Sequence, residues 1–125
     1  MRAVLFYWAP LALYAGLVLF LSIMPDSGEP SYGWDKANHF AAYAVMSFLF
    51  MRAVAGGRPS IRAAVAAIAA VSLFGIGVES LQSLTSTRKA EALDALANGL
   101  GAALGVGVVA LLSLIKNRAE VKRCL

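Results

Sequence analysis

Residues 3–24 read AVLFYWAPLALYAGLVLFLSIM, an unbroken apolar run without a single charged side chain. About 20 such residues are enough for a helix to cross a hydrocarbon core of about 30 Å. A helix in a water-soluble bundle keeps a polar stripe, and this stretch has none. Its apolar run is too long for a signal peptide, it carries Tyr7 and Trp8, and no A-x-A-like site follows. It therefore reads as a retained membrane helix rather than a cleaved leader. Pro25 ends it, since the proline ring and missing N–H stop helices.

Three more apolar stretches follow, at residues 36–55, 61–83 and 92–115, the second stopped by Gly56-Gly57. Apolar residues make up 60% of the chain and charged ones 14%, against about 25% charged in a typical soluble domain. The fold expected is all-α: an integral membrane four-helix bundle in one domain of 125 residues, with a tail at 116–125. Short connections make consecutive helices antiparallel neighbours. Lys and Arg divide unevenly between the two sides. Eight, from Arg2 through Arg52, Arg58 and Arg62 to the C-terminal tail, fall on the side of the termini, and only Lys36, Arg88 and Lys89 on the other. Basic loops stay inside, so both termini are expected in the cytoplasm. The net charge of +4 then reflects topology and anionic lipid rather than nucleic acid, for which so apolar a chain leaves no surface. Cys124 is the one cysteine; it has no partner for a disulfide and reads as incidental.

Six of the seven acids fall in segments on the outer side: Asp26, Glu29 and Asp35, then Glu79, Glu91 and Asp94. Helical spacing gives the group shape. Asp35, His39 and Tyr43 are four apart and share a face, with Lys36 three before His39. Glu79 and Gln82 fall near the end of the third helix, and Asp94 and Asn98 in the first turns of the fourth. Polar side chains inside apolar helices are functional candidates by default. Arg88, in the loop before the fourth helix, can swing over them as a partner for Glu79. Each also has a plainer reading: Asp35 as a helix cap, Tyr43 as an interfacial aromatic, Glu79 with Arg88 as a structural ion pair. Ala97, Gly101 and Gly105 form a small-xxx-small ridge that admits a neighbouring backbone. The third helix, with Ala63, Ala67, Ala70 and Gly77, is the expected neighbour, which would draw Glu79 toward Asp94 and Asn98. A homodimer or another helix partner remains open.

Asp-Lys-x-x-His-Phe-x-x-Tyr from Asp35 to Tyr43, Glu-x-x-Gln from Glu79 to Gln82, Arg88, and Asp-x-x-x-Asn-x-x-Gly from Asp94 to Gly101 with Gly105 together resemble the VanZ-like family of small bacterial membrane proteins. The resemblance implies a four-helix protein of the bacterial inner membrane, with a link to resistance to the glycopeptide teicoplanin, but names no reaction.

Three functions fit these residues. In the first, Lys36, Arg88 and Lys89 hold the phosphate or carboxylate headgroup of a membrane lipid or lipid-linked envelope component, the acids, Asp94 among them, and Asn98 hold its sugar or amide groups, and Tyr43 and Gln82 are further binding candidates. In the second, an enzyme acts on a lipid-linked substrate, with His39 as acid or base and Asp35 or Glu79 orienting it. No G-x-S-x-G elbow accompanies it, no metal-ligand spacing of recognised type, and no cofactor is implied. In the third, the cluster only holds helices together.

Overall fold

The computed structural model describes residues 2–24, 34–55, 59–84 and 92–123. They form four helices: α1 (Arg2–Ile23), α2 (Trp34–Ala55), α3 (Ile61–Ser83) and α4 (Ala92–Arg123). The first three match the expected stretches to within two residues. The fourth does not stop at 115 but continues to Arg123. Nothing between 116 and 123 breaks a helix; Lys116 and Glu120 sit 4.0 Å apart at i,i+4. Lys122 and Arg123 in the last turn complement the negative end of the helix dipole. At the start of α3, Ser60 is extended and its hydroxyl accepts a hydrogen bond from Ala63 N at 3.2 Å, closing one of the backbone donors a helix start leaves open. Pro10 lies within α1, where it removes one backbone hydrogen bond without ending the helix.

Three of the helices, over Leu5–Ile23, Ile61–Ser83 and Ala92–Arg123, are long and apolar enough to cross a membrane. α2 is as long as α1 but falls short in apolarity, because Asn38, His39 and Arg52 interrupt it. The four expected helices are present, three of them long and apolar enough to cross a membrane. The packing explains the exception. α2 is in contact with α1, α3 and α4, most extensively with α4, whereas α1 and α4 do not meet. The helix that falls short of a membrane span is thus the one most surrounded. Large apolar side chains point outward from the other three, among them Phe6 and Phe20 of α1, Leu73 of α3 and Leu100 of α4.

The ridge on α4 packs against α2, not α3. A β-carbon at Gly101 would stand 2.2 Å from the carbonyl oxygen of Phe40, and one at Gly105 would stand 2.2 Å from that of Ala44. Two glycines four residues apart therefore face two carbonyls four residues apart. The expectation that α3 is the neighbour fails at Gly77, whose missing β-carbon would meet nothing within 4 Å. Ala63 and Ala67 are buried in a cluster with Met51 of α2, against which Val106 and Val109 of α4 also pack, so α3 meets α4 beside the ridge rather than on it. Ser47, fully buried, bridges the same α2–α4 seam by donating to Ala102 O at 2.8 Å. Residue numbers rise together along the seam, so α2 and α4 run parallel. Ser47→Ala is expected to lower the unfolding free energy in detergent by about 0.6 kcal/mol, the average for such interhelical bonds; an unchanged denaturation midpoint would show that the bond contributes nothing.

Candidate functional site

At the end of the molecule where α2 and α4 begin and α1 and α3 finish, the polar side chains turn inward. His39, Glu79, Gln82, Asp94 and Asn98 are all buried. His39 Nδ1 lies 3.2 Å from Asn98 Oδ1. An amide oxygen only accepts, so the ring nitrogen donates; in the neutral imidazole Nε2 is then the acceptor. Tyr43, one turn further along α2, is 1% exposed and stacks beside His39 with ring centroids 6.2 Å apart. Lys36 Nζ is 3.8 Å from Asp94 Oδ1, at the rim, where the lysine is 41% exposed. Asp94 also occupies the first turn of α4, where the helix dipole favours a negative charge. Gln82 reaches α1, donating from Nε2 to Ser22 O at 3.0 Å. All four helices therefore contribute to one polar end.

Of the residues singled out in the sequence, Lys36, His39, Tyr43, Asp94 and Asn98 meet across the α2–α4 seam, and Glu79 and Gln82 join them from α3 in the buried interior. Ala97 is half-buried, and Gly101 and Gly105 are buried beneath the cluster. Arg88, with Lys89 and Glu91, lies outside the described residues, as do Asp26, Glu29 and the side chain of Asp35. The lysine expected to hold a headgroup has a carboxylate beside it.

Three contributors were missed. Gly75 is the first: a β-carbon there would stand 2.8 Å from Asn98 Nδ2 and 2.9 Å from Tyr43 Cε1. It lies one turn before Glu79, a spacing that could have flagged it. Ser47 is the second, and it extends the series Asp35, His39, Tyr43 by one more step of four. Ser22 is the third; it takes part through its backbone carbonyl, which no sequence pattern reveals.

Among the described residues the Tyr43 hydroxyl and Asn98 Nδ2 are buried without a hydrogen-bond partner, and Asp94 Oδ1 has only its ion pair with Lys36. Buried polar groups are paired in the great majority of cases, and leaving one unpaired costs about 1–3 kcal/mol. Asn98 and Tyr43 are closely packed between α2, α3 and α4, and a cavity of about 350 Å³ with His39 and Tyr43 in its wall lies between α1 and α2. Among the described residues no group of three or more His, Cys, Asp or Glu is placed to hold a metal ion. No protein-family model, curated protein or solved structure matches the chain.

Proposed function

We propose that this chain is a multi-pass protein of the bacterial inner membrane, of the VanZ-like kind, with both termini in the cytoplasm. In this reading its polar end faces outward and binds an anionic, lipid-linked component of the envelope. The apolar exterior of α1, α3 and α4 and the enclosure of α2 support the membrane part. The observation that carries the binding part is the pair of unpartnered buried atoms, the Tyr43 hydroxyl and Asn98 Nδ2. A cluster that only locked helices together would be expected to bond its own polar atoms, since a half-satisfied network is worse than an apolar core. Of the two, Tyr43 is in the wall of the α1–α2 cavity, where its hydroxyl can donate to an oxygen-rich headgroup.

A catalytic version has one observation in its favour. Asn98 orients His39 through Nδ1, and a ring held in this way is what a proton-transfer role requires. The test separates the readings. His39→Gln, Tyr43→Phe, Glu79→Gln and Arg88→Ala are made singly and assayed for membrane level, thermal stability, lipid copurification and glycopeptide susceptibility in one host. Binding predicts loss of copurified lipid and of phenotype at near-parental stability. Phenotype lost with lipid still bound selects catalysis. Stability and phenotype falling in parallel would leave only scaffolding.

A further inference from the structure

The cavity between α1 and α2 shares His39 and Tyr43 with the site expected from the sequence but opens toward α1, which that site did not include. α1 contributes Val18, Leu21 and Ser22 to its wall, an i, i+3, i+4 set on one helical face. α2 contributes Ala42 with His39 and Tyr43. Leu21 and Asn38 at its margin are exposed, so the cavity opens between the helices toward whatever surrounds the molecule.

Its shape follows from how α1 is held. Lower down, α1 and α2 touch closely: Trp8 packs edge-on to Phe50 at 6.3 Å, and Leu11, Tyr14 and Val18 join the core around Tyr43 and Met46. At the polar end, the bond from Gln82 to the Ser22 carbonyl ties α1 to α3 instead. The α1–α2 contact is therefore wedged open from Val18 upward, over about 6 Å of helix at 1.5 Å per residue.

The charges are distributed to match. Asp94 and Glu79 come to α2 from α4 and α3, Glu79 near enough to act electrostatically on Tyr43, and among the described residues that line the cavity none is an acid. An anion entering from the α1 side meets an imidazole, a phenol, an amide and a hydroxyl among those residues. A volume of about 350 Å³ holds roughly a dozen atoms at about 30 Å³ each, at the small end of ligand pockets. That suits the junction of a lipid, its linking oxygens and first carbons, better than a whole chain.

We propose that the α1–α2 cavity is the subsite for the headgroup–chain junction of a phosphate-bearing lipid, which enters sideways past Leu21. The proposal rests on the binding reading above and adds where the ligand sits and which chemistry it presents. The apolar wall from Val18, Leu21 and Ala42 takes the first carbons. The Asn38 amide and the unbonded Tyr43 hydroxyl donate to the phosphate ester oxygens, and His39 Nε2 accepts from a hydroxyl of the headgroup.

The test uses the full chain in phosphatidylethanolamine vesicles doped with a lipid that carries a photoreactive diazirine close to its headgroup. Three probes are compared: phosphatidylglycerol, a polyprenyl monophosphate, and a phosphate-free diacylglycerol. Crosslinks from a phosphate-bearing probe are expected on residues 18–22 and 38–43, and whichever of the two labels more strongly identifies the source. Ala42→Leu fills the cavity and Leu21→Trp closes its exposed margin without touching the core. Each should cut that labelling about tenfold, a difference of about 1.4 kcal/mol, while Ala103→Leu on the exposed face of α4 leaves it unchanged. Labelling spread evenly over the exposed faces of α1 and α4, or unaffected by both blocking variants, would overturn the subsite. Equal labelling by the diacylglycerol would overturn the phosphate assignment. If His39→Gln still abolishes lipid copurification while the blocking variants change nothing, the binding reading stands and only the placement fails.

Discussion

Gly101→Ala should destabilise the protein by about 3 kcal/mol, the upper end of what overpacking costs, while Gly107→Ala on the same helix should leave it equal or more stable. The two glycines differ only in what stands opposite. An added methyl at Gly101 meets the Phe40 carbonyl oxygen at 2.2 Å and Ala44 N at 3.2 Å, whereas at Gly107 it meets nothing within 4 Å. Backbone atoms cannot swing aside, so α2 and α4 must separate along their whole seam. That separation also weakens the Ser47 bond to Ala102 and the fit at Gly105. At Gly107 the substitution only removes the helix penalty of glycine, about 0.8–1.0 kcal/mol. Denaturant titration in one detergent, with helicity as the readout, measures both. Similar effects at the two positions would mean that the α2–α4 contact is not what limits stability.

The second large effect is expected at Gly75, and it falls on the site more than on the fold. Gly75→Ala places a methyl against Asn98 Nδ2 and the Tyr43 ring. Both are side-chain atoms, so they can give way at a cost of about 1–3 kcal/mol, but each moves from its place beside His39. The chain has a single histidine, which makes its imidazole nitrogens unambiguous by ¹⁵N NMR. In the parent protein the neutral ring should carry its proton on Nδ1; in Gly75→Ala that preference should weaken and lipid copurification should drop. Gly77→Ala, two residues along with open space around it, should change neither. An unaltered tautomer in Gly75→Ala would show that Asn98 does not hold His39.

Periodicity and length alone placed the four helices, because an apolar stretch bounded by Pro or Gly-Gly has few alternatives. The step-of-four series on α2 and the paired polar residues on α3 and α4 likewise gathered His39, Tyr43, Glu79, Gln82, Asp94 and Asn98 at one end before any packing was known. What could not be read was partnership. A glycine ridge announces that a backbone comes close but not whose, since the surface it meets, the carbonyls of Phe40 and Ala44, is common to every residue type. Alanine content pointed to α3, and the parallel, non-consecutive α2 is the helix found there. The role of Ser22 was hidden for the same reason. The continuation of α4 past 115 was missed because a run of charges looks like the end of a membrane span even when its residues are good helix formers.

The enclosure of α2 has a further bearing on how such a chain is made. Synthesis delivers α1, α2, α3 and α4 in that order, yet the helix least able to enter a bilayer by itself comes second and its most extensive partner last. If the chain is threaded into a membrane as proposed, α2 must wait, held at the insertion machinery or at the interface, until α4 emerges with Gly101 and Gly105 to receive it. A nascent chain stalled before Ala92 should therefore leave α2 open to a water-soluble labelling reagent while α1 stays protected by the bilayer.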